Sequence, residues 1–167
     1  MSRRYAARLM IPVLSLSLTN LVCHAQSPAV PAQPTYGVAI STDHAQSVVA
    51  ASIEEARKNN WKMAIAIVDT GGHLVHFVRM QDTQIGSIEL SIEKARTAAL
   101  FRRPTKSFQD NIAAGGDGWR LLRAPGITPL EGGIPILSDG KVIGAIGVSG
   151  GTGAQDAQVA KAGANPA

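Results

Sequence analysis

The side chains able to do chemistry in this 167-residue chain are few. After the first 25 residues the donors to a metal are His44, His73 and His76, with the thioethers of Met63 and Met80. Arg102, Arg103, Lys106, Arg120 and Arg123 crowd into one irregular stretch, where guanidinium and ammonium groups can hold carboxylates; the competing reading is a solvated basic surface. Glu131, between Leu130 and Gly132-Gly133, sits in a rigid Pro129 to Pro135 loop that reads as a pocket wall or as a turn at a subunit interface. Thr105 follows Pro104 and can cap a short helix. Gly150-Gly151-Thr152-Gly153 can turn N–H groups towards an anion, but it has neither the lysine of a phosphate loop nor dinucleotide spacing. Asp156 is explained by the positive end of the helix it opens. There is no nucleophile elbow with ordered Ser, Asp and His, no His-Glu-x-x-His and no cysteine cluster, which disfavours the common hydrolase and zinc chemistries.

The elements that must position these groups follow from periodicity. Ser41 or Thr42 caps a helix whose Ala45, Val48, Val49, Ile53 and Ala56 recur at helical spacing, ending at Asn59-Asn60. Met63 to Val68 and His73 to Arg79 are strands joined by Asp69-Thr70-Gly71-Gly72. Side chains alternate along a strand, so His73 and His76 are expected on opposite faces and unable to share a metal. A second helix carries Ile85, Ile88, Ile92, Ala95 and Ala99 on one face and stops before Pro104. A short helix through Phe108 and Ile112 is expected before Gly115-Gly116, with Phe108, Trp119, Leu121 and Leu122 available as an apolar slot or as core. Ile134 to Leu137 and Val142 to Val148 flank the Asp139-Gly140 hairpin turn, and a final helix runs from about Ala154 to Lys161. Hairpins need no crossover, so the order predicts an α+β layer fold with a mostly antiparallel sheet of about five strands flanked by helices.

Residues 1 to 25 read as a signal peptide: Arg3, Arg4 and Arg8 precede the apolar Leu9 to Val22, and Cys23-His24-Ala25 offers a cleavage site before Gln26. Lipidation at Cys23 is the weaker alternative, because Asn20-Leu21-Val22 lacks the small residue such sites use. Cleavage removes three of the 16 basic residues and the only cysteine, leaving 13 Lys and Arg against 12 Asp and Glu. The expected mature protein is periplasmic or secreted, nearly neutral, without an electrostatic case for nucleic acid, and off the membrane after cleavage. Residues 26 to 35, rich in Gln, Ser, Pro and Ala, are expected to be a disordered tether, and 36 to 165 a single domain.

Six ordered segments carry a family resemblance. They are Ala66 to Leu74, Arg79-Met80, Lys94 to Ala98, Arg103-Pro104-Thr105, Gly126 to Pro135, and Gly144 to Gly151 with Asp156. On these the chain resembles the GlcG/HbpS family, which includes secreted haem-binding proteins and the C-terminal domain of the corrinoid adenosyltransferase PduO. It departs from the pattern where Gln81 separates Arg79-Met80 from the acidic Asp82. The resemblance implies a profilin-like fold, homo-oligomers and haem, with Thr105 carried over as a hydroxyl ligand to iron. A haem site needs an axial donor, an apolar slot and cations for the propionates. Here Thr105, His73 and His76 are the candidate donors or contacts, and Arg102, Arg103, Lys106 and Arg123 the candidate cations. Hydroxyl ligation is weak and suits a scavenger or sensor of haem. Two other readings stay open: an enzyme or accessory protein acting on a small organic acid or aromatic compound through Arg103, His73 and Glu131, and an oligomeric partner-binding module.

Overall fold

The computed structural model describes residues 32–165; the expected signal peptide and the start of the expected tether lie outside them. Ser41 caps α1 (Thr42–Lys58) by accepting from the His44 N–H, and the helix buries Ala45, Val48, Val49, Ser52 and Ala56. β1 (Ala64–Asp69) is buried on both faces, as its unbroken apolar run requires, and pairs antiparallel with β2 (Leu74–Arg79). α2 (Ser87–Phe101) is followed by α3 (Lys106–Ala113) and a 3-10 helix (Gly116–Arg123). β3 (Gly133–Ser138) and β4 (Lys141–Ser149) form the second hairpin, and α4 (Gly153–Ala164) closes the fold behind a capping box of Thr152 and Gln155.

The sheet is antiparallel throughout, in the order β2-β1-β4-β3. It has four strands rather than about five; Tyr36 adds only a single parallel bridge to Val142. α1 and α4 cover one face, where Val48, Val49, Val159 and Ala160 join Ile65, Ile67, Ile146 and Val148. α2 covers the other, with Ile92, Ala95, Ala98 and Ala99 against Ala66, Val68 and Ala145. That contact is close because Gly147 has no side chain: a methyl there would collide with the Ser91 carbonyl and stand 2.5 Å from the Ala95 nitrogen.

Two local expectations change. Ile85 precedes α2 and is 76% exposed, so the buried face of the helix starts at Ser87. The end of the expected tether is not free, since the Pro34 carbonyl accepts from Arg102 at 3.2 Å while the Arg102 guanidinium lies 5.1 Å from the centre of the Tyr36 ring. No helix among the described residues is long and apolar enough to cross a membrane.

Candidate functional site

The expected Pro129 to Pro135 loop ends at Gly132, since β3 begins at Gly133; it separates two concavities, and Glu131 lines both. The larger, of about 390 Å³, is walled by the start of α4, by α2 and by Gln84, Gln109 and Leu130. The smaller, of about 310 Å³, is a slot with apolar walls at Pro104, Gly132-Gly133, Ile134 and Ala157 and with Lys106 and Lys161 beside them.

At the base of the larger cavity Lys94 meets Asp156 at 2.8 Å, with side chains 3% and 4% exposed. The Lys94 ammonium also donates to the Val148 carbonyl at 3.0 Å. Asp156 accepts the Gly151 N–H on its other oxygen at 2.9 Å, so the anion seen by the Gly150 to Gly153 turn is the chain's own carboxylate. Burial pushes the Asp156 carboxyl above its ordinary value, against the pull of Lys94 and of the Gly151 and Gly150 N–H groups. The approach is possible because Gly132 is bare: a Cβ at that position would lie 2.7 Å from the Val148 carbonyl and 3.0 Å from the Lys94 nitrogen. Gly132 also has a φ of 123°, which side chains rarely adopt.

Thr105 stands behind the slot. It is fully buried, and its hydroxyl accepts the Gly133 N–H at 2.9 Å while lying 3.4 Å from the Gly133 carbonyl as a donor. It makes no side-chain cap to α3, and it is not among the residues lining either cavity. The hydroxyl thus clamps the start of β3 to the start of α3.

The basic cluster is dispersed. Arg103 lies over the Phe108 ring at 5.2 Å and donates to the Phe101 carbonyl, and Arg102 is held by Tyr36 and Pro34. Arg120 pairs with Asp117 on the exposed 3-10 helix that also carries Arg123. Lys106 alone of the expected cations reaches the slot; it pairs with Asp110 at 2.7 Å, and that bond, with the charges of Asp110 and Glu131, pushes it up. The expected aromatic slot divides likewise: Phe108 is buried edge-on against Phe101, while Trp119 and Leu122 are 63% and 64% exposed.

The histidines lie elsewhere. His73 belongs to the turn before β2, with its side chain 82% exposed and its Nδ1 3.2 Å from Asp69. Burial would raise the Asp69 carboxyl, but the His73 and Gly71 N–H groups and the His73 ring outweigh it and hold the group below its ordinary value. His76 is half-buried on β2 opposite Ile67. Among the described residues no group of three or more His, Cys, Asp or Glu side chains could hold a metal ion.

Sequence reasoning missed Lys94, Gln84, Gln109 and Lys161. Lys94 falls on the buried side of α2 between Ile92 and Ala95, a polar residue within an apolar stripe, and that anomaly was a readable signal. Lys161, in the last turn of α4, looks like an ordinary complement to the helix dipole until β3 is placed beside it.

Fold and site together define a single-sheet α+β domain with two helices on one face and one on the other, and with a buried Lys–Asp pair under an open cavity. Residues 40–165 match the family model described as "Haem degrading protein HbpS-like". Protein GlcG of Escherichia coli strain K12 is 51% identical over 112 residues, which cover 67% of this chain and 82% of that protein. The crystal structure of HbpS superposes with a TM-score of 0.70 at 30% identity, covering 78% of this chain and 91% of that one. The crystal structure of a PduOC:heme complex superposes with a TM-score of 0.69 at 29% identity, covering 76% and 94%. The chain belongs to the HbpS-like family.

Proposed function

We propose that this protein binds haem at the slot beside Glu131, as an exported binding protein that takes up or senses haem. The observation that carries the reading is the pairing of apolar walls, at Pro104, Ile134 and Ala157, with two lysines, Lys106 and Lys161. Two of the three requirements of a haem site meet there, contact with the ring and cations for the propionates, while the Thr105 hydroxyl is engaged by Gly133 behind the slot. Membership of the HbpS-like family and likeness to a domain solved with haem support it.

The slot is small for a macrocycle, so it holds an edge and leaves most of the ring to water or to a second protein surface. Haem held in this way is released readily, which suits uptake or sensing better than electron transfer. When bound, the group supplies a redox-active, Lewis-acidic iron. The chain's own part is to seat the ring edge on Ile134 and Ala157, to neutralise the propionates through Lys106 and Lys161, and to keep the slot's shape through the Thr105–Gly133 clamp. Export is supported by the composition of residues 1 to 25.

Titration of the purified protein with hemin tests the reading. A saturable shift of the Soret band is expected; a spectrum equal to that of free hemin at all ratios overturns it.

A further inference from the structure

Lys94 and Glu131 give the larger cavity a character the haem reading does not use. Both Asp156 oxygens are engaged, one by Lys94 and one by the Gly151 N–H, so this carboxylate has little left for a ligand. The Lys94 ammonium has three protons; among the described residues two go to Asp156 and Val148, and the side chain is 97% buried where it lines the cavity. Beside it, Gly153 and Ala154 open α4, and both line the cavity. First-turn N–H groups have no partner within a helix; Thr152 takes those of Gln155 and Asp156, leaving the two at Gly153 and Ala154. One wall is therefore made of hydrogen-bond donors.

The opposite charge is Glu131. Its backbone N–H is bound by Gln109, and its carboxylate has no hydrogen-bond partner among the described residues; the nearby Lys106 feels its charge but hydrogen-bonds Asp110. With Lys94 and Asp156 cancelling, Glu131 leaves the lining residues with a net negative charge, its carboxylate beside Gly153 and sensed by Lys106 outside the lining. A simple anion would add to it, and a simple cation would leave the donor wall unanswered. A zwitterion answers both. Leu90 and Leu130 supply an apolar wall, and about 390 Å³ lies near the lower end of the range for small-molecule sites.

We infer that this cavity binds a small α-amino acid with an apolar side chain, its carboxylate on Lys94 and the α4 N-terminus, its ammonium on Glu131, and its side chain against Leu90 and Leu130. The cavity shares Glu131 with the haem slot and no other lining residue, and failure of hemin to bind leaves the inference standing.

The test is calorimetric titration of the hemin-free protein with three probes of one carbon skeleton: L-leucine, 4-methylpentanoate, which lacks the ammonium, and L-leucinamide, which lacks the carboxylate. Leucine binds saturably and at least about tenfold more tightly than either truncated probe. Glu131→Gln abolishes the preference for leucine over 4-methylpentanoate. Leu90→Trp fills the cavity from a half-buried position on α2 without touching the charges, and it abolishes leucine binding while the thermal melt shows a folded protein. Absence of leucine binding overturns the inference, as does equal affinity for leucine and 4-methylpentanoate, or unchanged leucine binding in Leu90→Trp.

Discussion

Replacing Lys94 with Met keeps the length of the side chain and removes its charge. Asp156 then keeps a carboxylate that is 4% exposed, with the Gly151 and Gly150 N–H groups to answer it and no counter-charge. Breaking a buried pair from one side costs about 3–5 kcal/mol, because the remaining charge has neither water nor counter-ion. For a domain of this size each kcal/mol moves the midpoint by roughly 3–6 °C, so a drop on the order of 10 °C or more is expected. The pH dependence separates this cause from simple loss of packing. Burial already holds the Asp156 carboxyl above the ordinary value of 3.8, and without Lys94 it rises further. A carboxyl raised on folding stabilises the folded state below the unfolded value and loses that contribution as pH rises through the folded one. Lys94→Met therefore recovers stability relative to the parent as pH falls from 7 towards 4, and Lys94→Met with Asp156→Leu recovers much of it at pH 7. Urea unfolding at several pH values measures both effects. A loss below about 1 kcal/mol, or one that is the same at pH 4.5 and pH 7, would refute the argument.

Thr105→Ala strands the buried Gly133 N–H and costs about 1–3 kcal/mol, while Thr105→Ser keeps the acceptor and costs less; equal stability of the two variants by urea unfolding would contradict the clamp. Gly147→Val drives a side chain into the α2 backbone at Ser91 and Ala95 and prevents α2 from seating on the sheet, so soluble yield and near-ultraviolet circular dichroism both fall; a native-like spectrum would show that α2 has room to move. N-terminal sequencing of protein recovered from the periplasm or medium gives Gln26 as the first residue, whereas an intact Met1 in the cytoplasm would remove export from the account.

Most of the fold was legible because each element carries its own local signal. The 3.6-residue spacing of Ala45, Val48, Val49 and Ala56, the β-branched run of β1, and Asp139-Gly140 each name an element without tertiary help. The sheet has four strands against an expected count of about five, and these are the four segments that carry a local strand signal; the segment near Tyr36 adds a single bridge. The site was harder to read because its parts come from α2, α3, the loop before β3, the start of β3 and α4, whose proximity is set by the sheet order and not by spacing in the chain. Proximity in sequence made Arg102 to Arg123 look like one basic patch, yet Tyr36, Phe108, Asp110 and Asp117 each claim a member. Lys161 is 55 residues after Lys106 in number, yet both line the same slot.

The hemin affinity of two charge-reversed pairs tests the central claim most directly. Lys106→Glu with Lys161→Glu places two carboxylates beside the slot, and weakens hemin binding by at least about tenfold if the propionates sit there. Arg120→Glu with Arg123→Glu makes the same change in net charge on the 3-10 helix and leaves the affinity within about twofold of the parent. The reverse order, with the helix pair weakening hemin and the slot pair leaving it unchanged, would place the porphyrin elsewhere and contradict the account.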